Sequence, residues 1–383
     1  MPFSKKYYLD ETLTDAAFNG LRPETKGWIK KTLSCQQAFY AQKPLYKNQA
    51  LLTTWESYTS TLTFRPRSWC LVLYEENYQA VTRAVAAVAP AVFAGVQDVY
   101  ALAVRPLDKQ ENLKGSINNS GFLSNAAQAD FQSSNLDLNL TAGFELTGVE
   151  DLLAVREQEL LPVIKRFFEA RKHEDGCILI LGDPGWSSEV FNLTRGQHVN
   201  IWKEGPAPRI LFKDPTPAQA SAAGVAGIAE STGAGGKSVF GAYLLKTLKA
   251  LHPDAKIKFL PAASSPNANI AFADYFALVG SKDFISQPFL ATPHDEDSPD
   301  NIFSGQTNPP ALDLDLQGGQ ADFLAKLSSQ EQDLGPGPCA FEKNHSTAGW
   351  PQLSLDASCA GCWVWPALSL DFFVSTRVSL FDY

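Results

Sequence analysis

The sequence predicts an α/β protein built from two parallel-sheet domains, and three observations carry that prediction. Short continuous apolar runs recur at 69–74, 99–104 and 177–181, and such runs mark strands covered on both faces. Helical stretches of apolar periodicity alternate with them, spaced widely enough for right-handed parallel crossovers. The chain is 383 residues long and 45% hydrophobic, which leaves material for more than one core.

Taken in order, residues 1–65 read as irregular helix, with helical stretches at 14–21 and 24–41 and a linker at 43–50. The strand at 69–74 leads into an Ala/Val-rich helix over 78–96 that Gly95 ends, and the strand at 99–104 is stopped by Arg105-Pro106. A polar stretch rich in Asn, Ser and Gln at 107–134 reads as a loop. The rhythm then resumes with a helix at 140–146 ended by Gly148, a strand at 151–155, a helix at 157–171 and a strand at 177–181. Gly182-Asp183-Pro184-Gly185 makes a turn at that strand's carboxyl end, where α/β proteins place ligands. Strands at 210–212 and 256–260 enclose helices at 217–229 and 240–251. Prolines and acidic residues at 286–310 mark a surface connection, and 362–383 returns to apolar and aromatic residues.

Composition bounds the partners. Lys and Arg number 32 against 41 Asp and Glu, a net charge of −9, and a surface that neutralises phosphates needs the opposite balance, so no nucleic acid is expected. There is no apolar run of about 18 residues, so no membrane partner is expected either. The first residues lack the apolar centre of a signal peptide, and a cytoplasmic location follows as an expectation. Six cysteines in so long a chain make a poor disulfide framework.

Candidate motifs each meet a plainer reading. Residues 231–238 (S-T-G-A-G-G-K-S) approach a phosphate-binding loop, but Ser231 stands where its first glycine belongs and an Ala-rich helix, not a strand, precedes it. Cys359 and Cys362, two residues apart, could hold a metal with Cys339 and His345; the alternative is buried thiols. The five histidines form no spaced pair, and His252 before Pro253 reads as a stabiliser of a helix end.

A collinear series of segments resembles the histidinol dehydrogenase family, zinc- and NAD-dependent enzymes with Rossmann-like, aldehyde-dehydrogenase-like domains. Residues 89–96 (A-P-A-V-F-A-G-V) are similar to the family's I-P-A-K-V-A-G-V, and 144–151 (F-E-L-T-G-V-E-D) to its A-A-E-L-A-G-V-D-E. Asp183-Pro184-Gly185-Trp186 falls at its G-P-G-N, and 204–214 resembles A-G-P-S-E-V-L-V-I-A-D. Residues 364–366 and 378–383 resemble V-L-P-T and L-S-V-Y-D-F. The resemblance implies a histidinol dehydrogenase-like fold with a cleft between two domains, 68–208 inserted into a discontinuous unit of 1–67 plus 209–383.

The family's reacting groups do not carry over. Its metal-binding Q-A-E-H is Ile228-Ala229-Glu230-Ser231 here, and its catalytic Glu-His pair aligns with Pro310-Ala311 before Leu312 and Asp313. Asp356 keeps a metal-binding Asp, but Trp363 replaces the His seven residues later. The glycine-rich cofactor loop becomes Tyr74-Glu75-Glu76-Asn77-Tyr78, two carboxylates where a pyrophosphate would lie. Asp183, Pro184, Gly185, Gly205 and Pro206 remain as candidate cofactor-side turns, and Glu230, Asp313, Asp356 and Trp363 as candidate cleft residues. The expectation is therefore a homologue that has lost zinc-dependent histidinol oxidation, has no catalytic residues carried over and no cofactor, and keeps its cleft for an unidentified small molecule or protein partner. NAD and zinc belong to the alternative in which the chemistry survives. A second alternative is an enzyme of different chemistry using Asp183, Glu230, Asp313 and Asp356, and a third is an interaction surface formed by the aromatic C-terminal end. The family's tail-exchanged dimer is not expected, since 378–383 ends the chain where that tail would continue.

Overall fold

The computed structural model describes residues 2–41, 49–54, 58–106, 137–149, 151–197, 199–213, 239–260, 275, 277–280, 344–345, 351–356 and 359–382. The expected loop at 107–134, the helix at 217–229, the glycine-rich segment 231–238 and the connection at 286–310 lie outside the described residues.

Two helices open the chain, α1 (Glu11–Gly20) and α2 (Pro23–Ala41). The Asp10 carboxylate caps α1 by accepting from the Thr12 N–H at 2.9 Å. The expected helix and linker before residue 67 are corrected beyond this point: Gln49–Thr54 (β1) and Tyr58–Pro66 (β2) are antiparallel strands. The reason is visible in T-S-T-L-T-F, where β-branched and aromatic residues favour a pleated ribbon.

The first parallel sheet follows. Trp69–Glu75 (β3) crosses through Val81–Ala94 (α3) to Asp98–Arg105 (β4). Leu138–Thr147 (α4) precedes Asp151–Arg156 (β5), and Glu157–Ala170 (α5) leads to Gly176–Ile180 (β6). Ser187–Thr194 (α6) and Val199–Lys203 (β7), which the apolar pattern did not mark, complete it. The strands lie side by side as β5-β4-β3-β6-β7, all parallel. In chain order that is third, second, first, fourth, fifth, the order of a dinucleotide-binding sheet, whose direction reverses between β3 and β6.

The second sheet contains Arg209–Lys213 (β8), then Lys256–Leu260 (β9) after the helix Val239–Leu251 (α7), Ala277–Gly280 (β10), the two-residue Asn344–His345 (β11) and Pro351–Asp356 (β12). Its order is β11-β12-β10-β8-β9, with β11 alone antiparallel. Val374–Asp382 (β13) returns to pair with β2 along its whole length, from Val374 opposite Pro66 to Asp382 opposite Tyr58.

Continuous apolar strands are buried on both sides, as their composition requires. Cys70, Val72 and Tyr74 of β3 face one core, and Trp69, Leu71 and Leu73 face another. The first of these cores runs on without a break into Ile210, Phe212, Val279 and Leu355 of the second sheet and Trp363 and Phe373 of the C-terminal segment. Helix α3 sits at its centre and buries residues all round, which its alanines permit by allowing close approach. Gly95 and Gly148 end α3 and α4 in the left-handed conformation, at φ 85° and 93°.

Two glycine substitutions separate packing from backbone entropy. A Cβ on Gly176 would lie 2.0 Å from the Trp69 indole, whereas one on Gly27 in α2 meets nothing within 4 Å. Gly176→Ala is expected to lower stability by about 1–3 kcal/mol and Gly27→Ala to raise it by roughly 0.5–1 kcal/mol, read from urea unfolding midpoints.

Candidate functional site

The topological switch between β3 and β6 is where an open α/β sheet binds ligands, outside the carboxyl ends of its strands. The loops leaving those two strands carry Tyr78 and Gly182, and the residue that follows β7 is Glu204. These three meet. The Gly182 N–H donates to Glu204 Oε2 at 2.6 Å, and the Glu204 N–H donates to the Ile180 carbonyl at 2.8 Å. Gly182 holds φ +74°, and a side chain there would press on the Tyr78 ring at 3.3 Å. Tyr78 therefore packs against the Gly182 turn, and a carboxylate of the same chain accepts from its amide.

Glu204 is 2% exposed, which demands a cation. Arg83, from the first turn of α3 and equally buried, supplies it: Arg83 Nε lies 3.1 Å from Glu204 Oε1, a charge contact rather than an aligned hydrogen bond. Arg83 Nη2 donates to Asp254 Oδ2 at 2.7 Å, just after α7. The guanidinium thus joins the first sheet to the element that enters β9. Burial opposes its charge, but Tyr78, Glu204 and Asp254 hold it protonated, above its ordinary range. Burial pushes the Glu204 carboxyl up, against the pull of Arg83 and the Gly182 amide, and pushes the Tyr78 hydroxyl well up.

His252 lies beside this cluster, fully buried, its ring 4.8 Å from that of Trp363. Neither ring nitrogen has a hydrogen-bond partner among the described residues. Burial, and then the Arg83 charge, hold its pKa well below the usual 6.5. The ring is neutral, so the expected charge–dipole support of the helix end is corrected; His252 finishes α7 through its backbone, donating N–H to the Leu248 carbonyl.

The other candidates fall as follows. Asp183 is exposed and pairs with Lys203, which also donates to Ser187 Oγ at 3.0 Å. Pro184 is buried and its carbonyl accepts from Ser187 N–H, while Gly185, Gly205 and Pro206 are exposed turn residues. Glu75, at the same carboxyl edge, has its pKa raised by burial and by the neighbouring charges of Glu157 and Asp183. Glu230, Asp313 and Cys339 lie outside the described residues, and Asp356 and His345 are placed by their strands, opposite Gly280 and Pro351. Trp363 is fully buried between His252 and Trp365. Cys359 and Cys362 are buried together, and the thiol that joins them is Cys35 of α2. Sequence reasoning missed Tyr78, Arg83, Glu204, Asp254 and Cys35. Arg83 carried a usable signal, a lone cation among alanines and valines; the others had none.

No family model and no curated protein matches the chain in sequence. Among solved structures it is similar to histidinol dehydrogenase from Elizabethkingia anophelis, with TM-score 0.47 and 13% identity over 99% of this chain and 78% of that one. It is also similar to an oxidoreductase from Marinobacter aquaeolei (TM-score 0.31, 10% identity, 71% of this chain and 46% of that one). A methylmalonate-semialdehyde dehydrogenase from Oceanimonas doudoroffii gives TM-score 0.27 and 12% identity over 63% and 45% of the two chains. The chain spans under half the length of these last two. Among the described residues, no helix is long and apolar enough to cross a membrane.

Two measurements check the cluster. Arg83→Met or Glu204→Leu alone strands a buried charge and is expected to cost about 3–5 kcal/mol in urea unfolding, and the double variant to recover most of it. His252 stays neutral when folded but takes a proton near pH 6.5 when unfolded. Its contribution is therefore complete above that pH and lost as pH falls, by roughly 1.4 kcal/mol per pH unit. His252→Phe is expected to remove about 1 kcal/mol of the wild type's loss of unfolding free energy between pH 6.5 and 5.5, where the unfolded imidazole is still partly neutral.

Proposed function

We propose that this chain is a binding protein on a Rossmann-type frame and not a nicotinamide-dependent dehydrogenase. The observation that carries the reading is the Glu204 carboxylate on the Gly182 amide at 2.6 Å. A dinucleotide needs that edge for its pyrophosphate, with backbone N–H groups turned toward the phosphates and no side chain between. Here the amide has an internal anion, Tyr78 packs against the Gly182 turn, and Glu76 at the start of the first loop is engaged by Arg105 at 3.0 and 3.1 Å. The loss of the family's zinc ligands and catalytic pair in sequence points the same way.

The charge of the edge selects the ligand. Glu157 and Asp183 both act on Glu75 there, so an incoming polyanion is repelled and a small molecule bearing an amine is favoured. The raised pKa of Glu75 supports a second reading, in which that carboxyl exchanges protons with a bound substrate.

Thermal-shift titration separates these outcomes, because a ligand that binds only the folded chain raises Tm by mass action. NAD and other nucleotides are expected to leave Tm unchanged, while members of a panel of small amines raise it saturably. A saturable rise with NAD, or NAD-dependent turnover of histidinol by zinc-treated protein, overturns the proposal.

A further inference from the structure

Three buried thiols converge at a place the switch-point cluster does not use. Cys35 projects from α2, and Cys359 and Cys362 come from the turn after β12, at 4%, 1% and 0% exposure. Their sulfur atoms all lie within 4.8 Å of one another, and Cys35 Sγ is 3.9 Å from Cys362 Sγ. A metal with bonds of about 2.3 Å to sulfur holds neighbouring thiolates roughly 3.8 Å apart in tetrahedral and 4.0 Å apart in trigonal geometry. Cys359 Sγ lies within 4.8 Å of both other sulfurs, and the Cys35–Cys362 separation is that of two ligands round a common ion. It is also well beyond the roughly 2.05 Å of a disulfide.

The local chain is built to keep this arrangement. The Cys362 N–H donates to the Cys359 carbonyl at 2.8 Å, so a tight turn puts both sulfurs on one side. Gly361 lets the turn press into its surroundings: a Cβ there would lie 2.5 Å from the Trp28 ring and 2.7 Å from Leu251. Gln36, next to Cys35, donates to the Trp363 carbonyl at 3.1 Å, and Tyr40, one turn on, donates to the Leu368 carbonyl at 2.7 Å. Helix and turn are thus registered on both sides of the thiols. The remaining described cysteines, Cys70 and Cys177, face each other across β3 and β6 as a pair without a third.

We propose that Cys35, Cys359 and Cys362 bind one thiophilic d10 metal ion, Zn(II) or Cu(I), which staples α2 to the C-terminal segment. Soft thiolates select such ions, and three of them suit trigonal Cu(I) or a Zn(II) that takes one further ligand. Each thiol that binds the metal gives up its proton to solvent, so the step needs no oxidant and the affinity falls with pH.

The test uses the full-length chain, reduced and stripped of metal, equilibrated anaerobically with Zn(II) or Cu(I) against a chromophoric chelator, and with Cd(II) to read thiolate-to-metal charge-transfer absorption. One ion per chain is expected, with a band of three-thiolate intensity and a raised Tm. Cys35→Ser is expected to retain two-thiolate intensity and to lose more affinity than the roughly 10–100-fold that follows removal of an outer-shell partner. A competition that Zn(II) wins assigns the site to zinc, and one that Cu(I) wins assigns it to copper. Failure of the folded wild type to take up either ion overturns the proposal, as does a stoichiometric site whose affinity Cys35→Ser leaves unchanged. Should Cys35→Ser fail to fold, Cys359→Ser provides the same comparison, and the wild-type band intensity still counts the thiolates.

Discussion

A carboxylate that is 2% exposed must be neutralised and hydrogen-bonded, and the way Glu204 meets that demand organises the rest of the molecule. One oxygen takes the Gly182 amide and the other faces Arg83. Arg83 reaches it from the first turn of the closely packed α3 and is itself 1% exposed. The same side chain extends to Asp254, and its own carbonyl accepts from the Trp365 indole at 3.0 Å. One residue thus links the switch point of the first sheet, the entry to β9 and the C-terminal aromatic segment. A buried ion pair of this kind adds little net stability over an apolar replacement, but removal of one partner is costly. The contacts of Arg83 run from Glu204 after β7 to Asp254 before β9.

That constraint also decides what the sheet edge can do. A dinucleotide-binding edge keeps backbone amides free and glycines flat against the ligand. In this chain the amide is taken, a tyrosine packs against the turn, and carboxylates stand along the rim. The strand order is that of a dinucleotide-binding sheet, and at its switch point the Gly182 amide is bonded to Glu204 of the same chain. Strand order and edge chemistry are separable properties.

How much of this was legible depended on whether the signal was local. The runs at 69–74, 99–104 and 177–181 are strands because burial on both faces leaves no room for polar residues, and that shows directly in the letters. Gly95 and Gly148 announced helix ends for a conformational reason. The ribbon of β1, β2 and β13 was missed because its alternation is written largely in threonine, which reads as polar although it favours strands. β7, V-N-I-W-K, is a half-exposed edge strand and has no apolar run to show. The site was harder still. The contact of Gly182 with Glu204, and that of Cys35 with Cys362, join residues that nothing in spacing connects. The turn at Gly182 could be found from its position after a strand, but the group that occupies it could not.

The most direct test of the account is hydrogen exchange at the Gly182 amide, resolved by NMR. If Glu204 holds that proton, it exchanges slowly in the ligand-free protein, becomes fast in Glu204→Ala, and does not respond to added pyrophosphate or NAD. If it exchanges as an open loop amide and becomes protected only when pyrophosphate or NAD is added, the edge is a working anion site and the account is wrong.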